Sequence, residues 1–226
     1  LTNMETSFIF KEFFDRTLDT NKYESRSSQS FIDNSVRENY LFNSTINGIE
    51  EADLILLVGT NPRFEATMVN ARIRKAYLNN NVRIISLNDV GDLTYPYKFL
   101  DGKTQTIKDI AENKNELSKD IIDSKKPMII LGESFLNTKS ANYLFYSFKN
   151  FLLKNNKFSD EWKPLNVLST DSATVGNFDL DVINEKENLI KDLIENKFEL
   201  IYLVGQDNLI FDKKNEFVIY QGSHGD

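Results

Sequence analysis

Few side chains in this 226-residue chain are equipped for chemistry. Cysteine is absent and His224 is the single histidine. Disulfides, thiolate-held zinc, cysteine-held iron–sulfur clusters, cysteine nucleophiles and histidine-rich metal centres are therefore excluded within the chain. His224 stands in Gly222-Ser-His-Gly-Asp226 with no paired nucleophile, and reads as a hydrogen-bonding turn residue rather than a base. Asp207, Asp212 and Glu216 are close in sequence but lack an acid/base spacing, so they are assigned to the surface. The 34 acidic residues show no calcium-loop pattern. Gly59-Thr-Asn-Pro62 could present amides to a phosphate at a helix start. It lacks both Gly-x-Gly-x-x-Gly and the Gly-x-x-x-x-Gly-Lys-Ser/Thr loop, and reads as a structural turn. Arg72, Arg74 and Lys75 are too few for a nucleic-acid surface and read as a solvated face or an intersubunit salt bridge. Arg63, in the first helical turn, opposes the macrodipole and calls for a carboxylate partner. The aromatic stripe Tyr143, Phe148, Phe151 reads as core. No catalytic, cofactor-binding or metal-binding residue is assigned.

The elements that would carry these residues follow from periodicity. Leu54–Val58 is a continuous apolar run, the pattern of a strand covered on both faces. Gly59 suits the exit turn, Asn61 an N-cap and Pro62 the first helical position; Val69, Ile73, Ala76 and Tyr77 then share one helical face. Further strand-plus-glycine units run Met128–Gly132 and Leu200–Gly205, with strands at Val82–Leu87 and Phe217–Tyr220. Helices are expected over Thr106–Ile122, Ala141–Leu153 and Lys186–Asn196, and near Phe8–Phe14; residues 24–30 and 156–181 read as loop. The Ala141–Leu153 helix is apolar over much of its circumference and should be deeply buried or covered by a partner. Alternating strands and helices predict an α/β fold with two parallel-sheet halves. The expected divisions are a lead-in at residues 1–38, a first half at 39–123 and a partial second half at 124–226, with the boundary in the polar stretch 123–126 before Pro127. A net charge of −7 and a pI near 5.0 argue against general nucleic-acid or anionic-membrane binding. No apolar run reaches the roughly eighteen residues of a membrane span.

Several segments carry a family resemblance. Asn39-Tyr-Leu-Phe-Asn-Ser-Thr-Ile-Asn-Gly-Ile-Glu-Glu-Ala-Asp53, Val58-Gly-Thr-Asn-Pro-Arg-Phe-Glu-Ala66 and Asn70-Ala-Arg-Ile-Arg-Lys75 resemble the large iron–sulfur subunit of respiratory complex I, in its molybdopterin-oxidoreductase-like region. Asp92-Leu-Thr-Tyr-Pro-Tyr97, Lys126-Pro-Met-Ile-Ile-Leu-Gly132 and Ile219-Tyr-Gln-Gly-Ser-His-Gly-Asp226 are similar to the same family. The resemblance spans about residues 39 to 226 and weakens between Ser134 and Phe198. It implies two Rossmann-like halves of the molybdopterin-oxidoreductase type, incomplete at both ends, since the cluster-carrying region precedes this segment in that family. Active molybdopterin enzymes use glycine-rich loops at the pterin phosphates and a Cys, selenocysteine, Ser or Asp metal ligand. This chain has nine unclustered glycines, and residues 162–178 offer only Gly176. The resemblance thus implies a structural chain without a cofactor of its own, in the matrix-facing peripheral arm at the mitochondrial inner membrane. Its expected partners are a chain carrying the iron–sulfur clusters of the same subunit and the FMN-bearing and other peripheral-arm subunits, with no nucleic acid and no direct membrane insertion. Those partners would carry electrons from NADH to ubiquinone. Two rival readings are a free-standing Rossmann-like nucleotide-binding enzyme and a fragment of an active molybdopterin oxidoreductase.

Overall fold

An unbroken apolar run is stable as a strand where both faces of its sheet are covered. Leu54–Val58 and Pro127–Leu131 are buried at every position, and they lie side by side in parallel, Val58 opposite Leu131. The computed structural model describes residues 3–26, 30–184, 188–206 and 209–222. Along the chain run α1 (Met4–Arg16), α2 (Thr45–Gly48), β1 (Leu54–Val58), α3 (Pro62–Glu65), α4 (Thr67–Asn80), β2 (Arg83–Ser86) and β3 (Lys98–Phe99). There follow α5 (Thr104–Ala111), α6 (Glu116–Asp123), β4 (Pro127–Leu131), α7 (Glu133–Leu136), α8 (Ala141–Lys154) and β5 (Leu165–Val167). The last elements are α9 (Thr174–Asp179), α10 (Leu189–Ile194), β6 (Leu200–Val204) and β7 (Phe217–Gln221). They form two compact units, residues 30–170 and residues 1–29 with 171–226.

The 30–170 unit is built on a five-stranded parallel sheet of order β3-β2-β1-β4-β5. Strand side chains alternate between faces, and two cores result. Ile55, Leu57, Ile84, Met128 and Ile130 pack with Val69, Ile73 and Ala76 of α4 and with Trp162. Leu54, Leu56, Val58, Ile129 and Leu131 pack with α5, α6 and α8 through residues such as Ile110, Ile121 and Phe148. Helices on both faces make this unit doubly wound. The expected boundary at residues 123–126 is corrected by this pairing: β4 is the neighbour of β1, so residues 124–170 complete the first sheet instead of opening a second.

The other unit holds the parallel pair β6–β7 with α1, α9 and α10. The expected lead-in 1–38 is thereby divided. Phe10 of α1 meets Tyr202 of β6 edge-on at 5.4 Å, and Lys11 Nζ donates to Leu180 O at 2.8 Å, whereas Phe31 N donates to Leu136 O in the 30–170 unit.

Four further expectations change in detail. The helix expected over 106–122 is broken into α5 and α6, because Asn113 takes φ +60° and Asn115 caps the new start by accepting from Leu117 N at 2.9 Å. The stretch 156–181 contains β5 and α9. A three-residue strand buried at each position leaves too short a pattern to register as a period. Tyr143 is 54% exposed while Phe148 and Phe151 are buried. The buried stripe of α8 runs Ala141, Leu144, Phe145, Phe148, Phe151, Leu152, and a residue two positions after Ala141 falls off it. The helix expected over Lys186–Asn196 forms at Leu189–Ile194, capped by Asn188; Lys186 lies outside the described residues.

Candidate functional site

In an open parallel sheet, ligands bind beyond the strand C-termini where the chain turns in opposite directions. Here that point lies between β1 and β4, since β2 extends the sheet on one side and β5 on the other. Gly59 and Gly132 leave the two strands there. Gly132 N donates to Val58 O at 2.9 Å, which draws the two exits together.

The crevice is filled by the protein. Gly59 takes φ +64°, and a Cβ built on it would lie 2.3 Å from Phe135 N and 2.6 Å from Phe135 Cβ. A Cβ on Gly132 would lie 2.4 Å from both Gly59 O and Thr60 Cβ. Glycine is required at both positions by close approach of backbone, and the approaching group belongs to this chain.

Several donors that could face an anion are occupied. Gly59 N donates to Asn88 Oδ1 at 2.8 Å, and Arg63 N donates to Asn61 Oδ1 at 3.2 Å. The amides of Phe64 and Glu65 donate to Asn61 O. The Thr60 hydroxyl, 2% exposed, donates to Glu65 Oε2 at 2.6 Å. On the β4 side, the Thr170 hydroxyl donates to the Glu133 carboxylate. Two carboxylates at this end of the sheet oppose a pyrophosphate electrostatically.

The 88–97 segment is tied over the same region. Arg63 Nη1 donates to Asp92 Oδ2 at 2.7 Å, Asn61 Nδ2 to Val90 O at 3.0 Å and Asn70 Nδ2 to Leu93 O at 3.1 Å. The Tyr95 hydroxyl donates to Asn70 Oδ1 at 2.7 Å, and burial pushes this phenol above its ordinary range. Asp92 is held below the usual carboxylate range by the Thr94 amide first and then by Arg63. The carboxylate partner expected for Arg63 is thus Asp92. Close backbone approach at Gly59 and Gly132, the occupied Gly59 amide and Thr60 hydroxyl, and the carboxylates of Glu65 and Glu133 all count against a pterin pyrophosphate or a dinucleotide at this point.

The other candidate residues do not converge on this point. Glu50 pairs with both Arg72 and Lys75, so two members of the basic cluster are held by a salt bridge within the chain, where a solvated face or an intersubunit pair was expected. Asp212 is exposed. Glu216 corrects the surface assignment: it is 5% exposed, its Oε2 accepts from Lys214 N at 2.6 Å, and its own amide, then those of Lys214 and Asn215, holds it below the usual range. Gly176 lies in α9 against Met4 and belongs to no phosphate loop. Asp207 and His224 lie outside the described residues. Among the described residues no three His, Cys, Asp or Glu side chains converge on a metal position, and no helix is long and apolar enough to cross a membrane. Asn88, Glu65 and Phe135 close the crevice, and sequence reasoning missed them. The positional signal was available only for Phe135, three residues after a strand-exit glycine.

Sheet order, helices on both faces and a tightly packed switch point define a Rossmann-like α/β chain. The chain belongs to the molybdopterin oxidoreductase family, whose model matches residues 1–226; the match therefore extends ahead of residue 39. It is 32% identical over 242 residues to the NADH-ubiquinone oxidoreductase 75 kDa subunit of Reclinomonas americana, covering 100% of this chain and 35% of that protein. It is 35% identical over 193 residues to NADH dehydrogenase (ubiquinone) iron-sulfur protein 1, mitochondrial, of Solanum tuberosum, covering 84% and 26%. Against the mitochondrial NADH-ubiquinone oxidoreductase 78 kDa subunit of Candida albicans the identity is 37% over 194 residues, covering 84% and 26%. The chain spans about a third or less of the length of these curated relatives.

Proposed function

We propose that this chain is a structural, cofactor-free part of the peripheral arm of a mitochondrial-type NADH:ubiquinone oxidoreductase, on the matrix side of the inner membrane. In this reading it braces neighbouring chains while they carry electrons from NADH to ubiquinone. The partners are a chain bearing the iron–sulfur clusters of the same subunit and a flavin-bearing chain, and the clusters and FMN belong to them. The relatives named above support the assembly. The observation that carries the structural role is the packed crevice: the Gly59 amide is taken by Asn88, the buried Thr60 hydroxyl by Glu65, and glycine at 59 and 132 lets the exits of β1 and β4 close on each other.

The test is affinity purification of the tagged chain from its own cells, followed by native mass spectrometry and by analysis of the separated chain for molybdenum, pterin and flavin. Co-purification with cluster- and FMN-bearing chains, the metal and pterin absent from this one, is expected. Stoichiometric pterin or molybdenum on the separated chain would overturn the proposal, as would recovery of the chain alone. Dose-dependent thermal stabilisation of the isolated chain by NADH or ATP would instead favour a nucleotide-binding enzyme.

A further inference from the structure

Helix α4 has a second face that the fold leaves uncovered. Its inner side, Val69, Asn70, Ile73 and Ala76, is buried against the sheet. At about 100° per residue, Met68, Ala71, Lys75 and Leu78 lie together on the opposite side, spaced three, four and three residues apart. That is the spacing with which one helix meets another along a seam. Met68 is 65% exposed, Leu78 66%, and Phe64, just before the helix on α3, 79%. Solvent-facing positions of a helix that serves only its own domain are ordinarily polar. Here the outer seam is apolar except at Lys75.

We propose that the outer face of α4 docks an acidic amphipathic helix from another polypeptide. The charge on α4 selects this partner. The helix carries Arg72, Arg74 and Lys75 and no carboxylate. Glu50, shared between Arg72 and Lys75 at the helix flank, offsets one of those charges, leaving a cationic surface on a chain whose net charge is −7. A second copy of the chain is a poor occupant, because a two-fold contact would set one cationic face of α4 against another. An anionic membrane is also disfavoured: the apolar seam is one residue wide and interrupted by Lys75, and the chain as a whole is repelled. The three large side chains expose on the order of 400 Å² of apolar surface. That is about half of what each partner buries in a stable interface of standard size, so the contact serves as one part of a larger assembly surface. This inference rests on the α4 face alone and stands whether or not the assembly proposed above is correct.

The probe is a fluorescent helical peptide about three heptads long, with Leu along its seam and Glu on its flanks, titrated into the full chain and followed by anisotropy. A Lys-flanked version and a scrambled version serve as comparisons. The Glu-flanked peptide is expected to bind in preference to both. Met68→Asp with Leu78→Asp, both at exposed positions, should weaken it by about tenfold or more, and Arg74→Glu with Lys75→Glu should transfer the preference to the Lys-flanked peptide. The inference is overturned by the absence of peptide binding, by equal affinity for the wild type and the Met68/Leu78 variant, or by indifference to peptide charge. It is also overturned if Met68→Asp with Leu78→Asp abolishes self-association of the chain in sedimentation, or abolishes binding to anionic phosphatidylserine vesicles, in place of peptide binding.

Discussion

Substitution of Gly59 by alanine separates a filled crevice from an open one. Two costs are expected. At φ +64° an alanine bears about 1–2 kcal/mol for the left-handed backbone. Its methyl would also stand 2.3 Å from the Phe135 amide nitrogen and 2.8 Å from Phe135 Cα, atoms of backbone that cannot rotate away, and overpacking of this kind costs about 1–3 kcal/mol. Gly91 supplies the control, since it has φ +68° with nothing within 4 Å of its virtual Cβ. Gly91→Ala should therefore show the backbone cost alone. Gly132→Ala should show the packing cost alone, because Gly132 has φ −99° while its Cβ would meet Gly59 O at 2.4 Å. The change in unfolded-chain entropy is common to all three and cancels between them. The readout is urea unfolding followed by fluorescence of Trp162, the sole tryptophan, which is 6% exposed within the 30–170 unit and reports on that unit. Gly59→Ala should be less stable than Gly91→Ala by about 1–3 kcal/mol, and failure of Gly59→Ala alone to fold would be the same result in stronger form. Equal costs at Gly59 and Gly91, with Gly132→Ala near wild type, would mean that the crevice has room, and the argument for a closed site would fail.

Other outcomes follow from individual residues. Thr94 is exposed and β-branched at φ +73°, where asparagine is better tolerated, so Thr94→Asn should raise unfolding stability by about 1 kcal/mol; a loss would show that the threonine side chain makes an essential contact. Leu56 is 0% exposed at the centre of β1, and Leu56→Asp would bury an unpaired carboxylate and abolish soluble folding; a cooperative melt of that variant would remove the basis of the sheet assignment. Burial opposes ionisation of Asp53, yet the Ser124 hydroxyl and the Lys125 and Lys126 amides outweigh it and its pKa is lowered. A carboxyl with a depressed folded value contributes stability above its unfolded value near 3.9 and loses it as pH falls through the folded value. The stability gap between wild type and Asp53→Asn should therefore shrink between pH 7 and pH 3, and a gap independent of pH would show that the carboxylate's charge is irrelevant.

What the amino-acid sequence revealed of this fold was local. Leu54–Val58, Met128–Gly132 and Leu200–Gly205 announce themselves through continuous apolar runs ended by glycine, and each is a strand in the structure. Arg63 could be read as needing a carboxylate because its place in the helix is unfavourable on its own. Which strand pairs with which was not legible, since the choice of β1 over β6 as the neighbour of β4 depends on contacts far apart in the chain. The same limit hid the closure of the site. Asn88 reaches Gly59 across 29 residues, and Phe135 reaches it from the far strand, so the turn at Gly59 reads from sequence as a glycine turn of either kind, open or filled. Glu216 was missed for another reason: its Oε2 accepts from the Lys214 amide two residues back, and a local turn contact of that kind buries a carboxylate without leaving a pattern in the sequence.

The two ends of the β1–β4 pair bear on the difference between a binding sheet and a bracing one. At the N-terminal end, Asp53 accepts from the Ser124 hydroxyl and from the Lys125 and Lys126 amides, Trp162 Nε1 donates to Pro127 O at 2.8 Å, and Lys126 Nζ lies 5.4 Å from the Trp162 ring centroid. Fixing this end is compatible with any function, since ligands of parallel sheets approach from the opposite one. At the C-terminal end a binding sheet must leave amides unpaired and loops able to part, which lowers local stability where the ligand enters. Here Gly132 N, Gly59 N and Thr60 Oγ1 are each bonded to groups of the same chain. To open the crevice, the chain would have to break those bonds and withdraw Phe135, which is 3% exposed, from the core. A bound phosphate would have to offset that cost as well as the repulsion of Glu65 and Glu133. A sheet held at both ends exchanges ligand affinity for resistance to deformation, and that exchange would suit the bracing role proposed for this chain.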